Sequence, residues 1–135
     1  MEIATLWPYH AALMIPGFLL LLSSSLIERY WKRKRWWLNA HKMTAILGAV
    51  LFISGLLMAN YMVSVATGVH FRVPHAYLGA LIILLVVTNL ILGYAQLKPT
   101  SKTAQIRSAH RWSARIALVL ILINIISGLL LVGIL

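Results

Sequence analysis

The side chains in this sequence able to do chemistry are few, and most of them are histidines. Cysteine is absent, the acidic residues are Glu2 and Glu28 alone, and histidine stands at positions 10, 41, 70, 75 and 110. Four of the five histidines share a setting. HAALMIPG begins at His10, HKMTAILG at His41, HAYLG at His75 and HRWSARIA at His110, and each opens a long apolar run. Their spacings are 31, 34 and 35 residues. Imidazole is either an acid–base group or a metal ligand. Glu2 and Glu28 fall at opposite ends of the first run and cannot work as a pair, so no catalytic acid, base or nucleophile is assigned. The lack of thiols excludes disulfides, iron–sulfur clusters and covalent C-x-x-C-H cofactor attachment. A zinc site needs further ligands, and no acidic residue or cysteine stands beside the histidines to complete one.

The elements that must position these histidines are four apolar runs, over about residues 7–27, 40–66, 75–97 and 111–135. The 135 residues are 61% hydrophobic and 10% charged, where soluble domains carry about 25% charged residues. Each run has about the 20 residues that a helix needs to cross a bilayer core of about 30 Å. A barrel would instead show short alternating segments. Pro8 suits a first helical turn, and Trp7 and Tyr9 suit an interfacial belt. The N-terminus has no cation and no A-x-A site, so the first run is expected to stay as a helix. The expected fold is all-α: one integral membrane domain over 1–135, an antiparallel up-down four-helix transmembrane bundle.

Charge orients it. The formal net charge is +10, yet every Lys and Arg except Arg72 lies in 29–42 or 98–115. That clustering fits positive-inside topology rather than a nucleic-acid surface. The two basic segments are expected to be cytoplasmic, with both termini and the 67–74 linker on the non-cytoplasmic side. The expected location is a multi-pass place in the bilayer, the inner membrane in a prokaryotic cell.

Topology then sets the depth of each histidine. His10 and His75 open the first and third helices at the outer face; His41 and His110 open the second and fourth at the inner face. In an up-down bundle the members of each pair face one another across a diagonal at matched depth. Two histidines at one level on opposing helices are what a non-covalent bis-imidazole haem needs. Position +7 shares a histidine's helical face, and Gly17, Gly48 and Ala117 occupy it in three helices. Small residues there leave room for a macrocycle, or let helices pack closely. The third helix has Ile82 at +7, with Gly79 and Ala80 one turn on. Arg29, Arg33, Lys42 and Arg111 are candidates to hold haem propionates, and Arg107 to meet an anionic donor. His70 and Arg72 could form a cationic mouth for an acceptor on the outer side. Asn89 and Asn124 are expected to make interhelical hydrogen bonds, and Met58 and Met62 to pack in the core.

The ordered set of motifs resembles the cytochrome b561 family. It comprises H-x3-M-x2-G at His10, Met14 and Gly17, then SLIERYWKR at 25–33, His41 opening the second helix, H-A-Y-x-G at His75–Gly79, and His110 opening the fourth. The resemblance covers essentially the whole chain and implies a minimal, four-helix form. It implies two b-type haems, one on His10 and His75 and one on His41 and His110, carrying electrons across a membrane. Arg29 and Tyr30 stand in the reverse order from the family's Tyr-Arg pair, while Arg33 matches its second Arg. The donor therefore stays open between ascorbate, a quinol and another small reductant. A haem-binding anchor subunit of a quinone-linked dehydrogenase is the alternative reading. A transporter would need an intramembrane ionisable coupling residue, and the helix centres carry none. The lack of flanking helices leaves a homodimer open.

Overall fold

The structure is a computed structural model that describes residues 3–135. Four helices follow in order: α1 Ile3–Trp31, α2 Trp37–Ala66, α3 Pro74–Ala95 and α4 Thr103–Leu131. Each has the length and apolar character to cross a membrane, and no strand occurs among the described residues. Glu2, expected at the outer end of the first helix, lies outside the described residues.

The chain is an up-down bundle in which each helix touches its two neighbours. Helix α1 packs on α2, α2 on α3, α3 on α4 and α4 on α1, while the backbones of the diagonals α1/α3 and α2/α4 stay apart. The expectation of diagonal pairs is met. Outward-facing Leu, Ile and Val are heavily exposed, as at Leu57, Leu84, Ile91 and Val119, which suits a surface solvated by lipid. The buried core is small: Ala49, Phe52, Ile82, Val86 and Ile121 at the centre.

Helix ends depart from the sequence expectation. Helix α4 begins at Thr103 rather than near 111, and Thr103 Oγ1 closes the turn that precedes it. It accepts from the Thr100 N–H (2.8 Å) and donates to the Thr100 carbonyl (2.9 Å). Most of the basic segment expected as a loop is therefore helix, and His110 sits two turns inside α4. Helix α1 likewise runs from Ile3 through Arg29 to Trp31, which places Pro8 in the second turn rather than the first. Only residues 32–36 and 96–102 remain as connections on that side. On the other side, Gly68 ends α2 at φ 67°, its N–H bonded to the Val63 carbonyl at 2.8 Å. Such a left-handed cap favours glycine.

Helices α1 and α2 are the most intimately packed pair, and glycine is the reason. A Cβ on Gly48 would lie 3.0 Å from the Gly17 carbonyl and 3.0 Å from Leu21; one on Gly17 would lie 3.2 Å from the Gly48 carbonyl. Gly48→Val should therefore cost about 1–3 kcal/mol through overpacking. Unfolding in detergent would show this as a lowered midpoint, and an unchanged midpoint would contradict it.

Candidate functional site

His10, His41, His75 and His110 form two pairs across the diagonals. The His10 and His75 ring centroids are 6.3 Å apart with planes at 84°. The His41 and His110 centroids are 6.2 Å apart at 80°. In every case the helix that holds the ring in place is the histidine's hairpin neighbour, not its diagonal partner. His10 Nδ1–H donates to the Gly55 carbonyl (2.8 Å), and His41 Nδ1–H to the Ser24 carbonyl (2.9 Å). His75 Nδ1–H donates to the Asn124 carbonyl (3.0 Å), and His110 Nδ1–H to the Asn89 carbonyl (3.1 Å). A carbonyl can only accept, so Nδ1 carries the proton in all four rings. Nε2 is left with a free lone pair, and none of the four Nε2 atoms hydrogen-bonds among the described residues.

One spacing underlies all four bonds. Ser24 is fourteen residues after His10, Gly55 fourteen after His41, Asn89 fourteen after His75 and Asn124 fourteen after His110. In an antiparallel hairpin this makes the two bonds reciprocal: each helix gives a ring at one level and receives one at the other. Fourteen residues at 1.5 Å each place the two histidine levels about 21 Å apart along the bundle.

The space around the rings is kept by two other glycines. A Cβ on Gly128 would meet His75 Cε1 at 2.9 Å, and one on Gly93 would meet His110 Cε1 at 3.1 Å. Gly93 is eighteen residues after His75, and Gly128 eighteen after His110. Sequence reasoning singled out Gly17 and Gly48 instead. Position +7 proves to be midway between the two levels, and there Gly17 and Gly48 serve the α1–α2 crossing while Ile82 and Ala117 are buried.

A cleft of about 480 Å³ descends from the basic end of the bundle past His41 and His110 to Ile121. Cofactor clefts run to about 300–1,000 Å³. Arg29, Lys42, Arg107 and Arg111 all line it, as does Glu28, and so do Lys32 and Arg115, which the sequence reading did not assign to the site. Arg107, Arg111 and Arg115 share a face because the segment is helix, with i, i+4 spacing. Glu28 is paired with Lys32 at 3.2 Å. The balance is six cations against one carboxylate. Arg33 is not at the cleft; it lies exposed in the 32–36 turn.

At the opposite end Arg72 lines a shallow depression with Val73, Pro74, Tyr77, Leu78 and Leu81, and neither His10 nor His75 lines it. His70 Nε2 lies 3.4 Å from the Ser64 hydroxyl. His70 does not line that depression. Asn89 makes the expected interhelical bonds, donating to the His110 carbonyl (2.8 Å) and to Ser113 Oγ (2.7 Å).

A family model described as eukaryotic cytochrome b561 matches residues 9–134. The chain belongs to the cytochrome b561 family. Comparison with curated proteins and with solved structures returned no match. Members of this family bind b-type haem and carry electrons across a membrane, so this is an integral, multi-pass member of an electron-transfer family. The match is to a eukaryotic description, and the expectation of a prokaryotic inner membrane gains no support from it.

The paired rings fit the family's cofactor. No three His, Asp, Glu or Cys side chains come together among the described residues, so neither pair is a closed zinc-type site. Two opposed imidazoles are instead what a metal already held in a macrocycle requires. A metal–imidazole bond is about 2.0 Å. Adding about 1.2 Å from nitrogen to ring centre would put two rings on one metal about 6.4 Å apart, close to the 6.3 and 6.2 Å found. Nδ1–H donation to a carbonyl is also the usual second partner of a metal-bound histidine.

Proposed function

We propose that this cytochrome b561 carries electrons through two b-type haems, one held by His10 and His75 and the other by His41 and His110. The observation that carries the reading is the pair of diagonal imidazoles at 6.3 and 6.2 Å, each ring with its Nδ1–H committed to a backbone carbonyl. Haem supplies reversible one-electron chemistry when bound; the residues ligate it, fix its orientation and keep water from it.

The basic end faces the cytoplasm, by the positive-inside rule. All Lys and Arg except Arg72 belong to that end, which puts both termini on the other side. Arg29, Lys42 and Arg111 at the cleft hold the propionates of the inner haem. Arg107, Lys32 and Arg115 add to a field that concentrates a small anionic reductant at the mouth. Arg33 lies outside the cleft and contributes only to that field. Between the two histidine levels the interior is Ala49, Phe52, Ile82, Val86 and Ile121, all buried and apolar. None of those five side chains can carry a proton. On the outer face the acceptor meets the haem of His10 and His75. Arg72, at the rim of α3, and His70 are the cationic residues on that side.

The test is an absorption spectrum of the purified protein, oxidised and then reduced, with haem counted per chain. The expected result is low-spin b-type spectra and about two haems per chain. Protein that stays colourless after assembly with haem supplied would contradict the reading.

A further inference from the structure

The two rings of each pair are held differently. Among the described residues, His10 and His110 each give Nδ1–H to a carbonyl alone. His41 and His75 also meet a hydroxyl: Ser24 Oγ at 2.9 Å and Ser127 Oγ at 3.1 Å. The direction of those contacts is fixed. Ser24 Oγ–H donates to the His41 carbonyl (3.0 Å), and Ser127 Oγ–H to the Asn124 carbonyl (2.9 Å). With its proton spent, each hydroxyl can offer His41 or His75 only a lone pair. Each diagonal pair therefore has one ring whose N–H is shared between a carbonyl and a hydroxyl.

The two serines reach this arrangement by different routes. Ser24 is itself the residue fourteen after His10, on the helix facing His41. Ser127 is one turn beyond Asn124, on the helix facing His75. Ser24 is 4% exposed, and a buried hydroxyl interacts without dilution by water.

We propose that Ser24 and Ser127 are positioning residues that set the reduction potentials of the two haems, Ser24 acting on the inner haem through His41 and Ser127 on the outer haem through His75. The proposal rests on the two-haem reading above. An added acceptor on Nδ1–H raises the basicity of the ligating nitrogen. A more basic ligand favours ferric over ferrous iron, so each serine holds its haem's potential down. Because each hydroxyl touches one ring of one pair, the two potentials are adjustable independently.

Redox titration of the haem-loaded protein, followed by absorbance, tests this. Ser24→Ala should move the reduction equilibrium of the inner haem about three- to tenfold toward the ferrous form and leave the outer haem unmoved. Tenfold corresponds to 59 mV for a one-electron couple. Ser127→Ala should do the reverse. The inner haem is identified as the component missing from His110→Ala, the outer as that missing from His75→Ala. Ser24→Thr and Ser127→Thr keep the hydroxyl and should stay at the wild-type potentials. Ser24→Cys and Ser127→Cys keep the shape with a weaker acceptor and should shift partway, which decides the matter should an alanine variant not assemble. Unmoved potentials in a protein carrying both haems would overturn the proposal. So would alanine and threonine shifts of equal size, or a shift of both haems from one substitution. A wild-type protein without two haems would instead overturn the reading beneath it.

Discussion

His75→Ala, in vesicles that enclose an impermeant oxidant, should slow transfer from a reductant added on the basic side by about 100-fold or more. Loss of an outer-shell partner alone typically costs 10–100-fold, and here a ligand itself is removed. The two histidine levels are about 21 Å apart, so with one site gone an electron must bridge most of the bilayer core of about 30 Å. The variant should still accept electrons. His41 and His110 are untouched, so the inner haem should be reduced while the enclosed oxidant persists. His110→Ala should fail earlier, with little rapid reduction from the basic side. Stopped-flow absorbance on oriented vesicles separates the two. Equal transfer in His75→Ala and wild type would contradict the outer pair's role.

The second large effect is expected from glycines that touch no charge. In Gly128→Val the new Cβ would start 2.9 Å from His75 Cε1, and in Gly93→Val 3.1 Å from His110 Cε1. Neither ring can retreat without losing its bond to the Asn124 or Asn89 carbonyl. Gly128→Val should therefore deplete the outer haem, and Gly93→Val the inner one, each about 10-fold or more in affinity. Gly79→Ala is the matched control: its Cβ would sit 3.5 Å from Asn124 Nδ2, ordinary contact, and both haems should remain. Haem counting during purification reads all three. Full occupancy in both valine variants would show that these glycines do not shape the sites.

How much of this could be read from the sequence follows from what each feature depends on. The four spans depend on length and apolar content, which the sequence displays directly. The matching of His10 with His75 and of His41 with His110 depends on depth alone, and short connections between spans fix depth. The start of α4 at Thr103 is not legible because it falls within a polar, basic segment that looks like a loop. Helical phase therefore could not be assigned there, and the shared face of Arg107, Arg111 and Arg115 went unrecognised. Arg33 lies in the 32–36 turn beyond the end of α1 and does not line the cleft, though Lys32 in the same turn does. The ring-holding acceptors at Ser24, Gly55, Asn89 and Asn124 are backbone carbonyls, which any residue type supplies, so only their common fourteen-residue offset marks them. Gly93 and Gly128 become visible once α3 and α4 are known to be antiparallel. Gly17 and Gly48 were noticed for their spacing, and the structure gives them to the α1–α2 crossing.

The pairing of ligands is tested most directly by haem counts in double variants. If each haem bridges a diagonal, His10→Ala with His75→Ala removes both ligands of one site and leaves about one haem per chain. His10→Ala with His41→Ala removes one ligand from each site and leaves close to none. The opposite pattern, one haem surviving the His10/His41 pair and none surviving the His10/His75 pair, would mean that haem is bound within hairpins and would contradict the account.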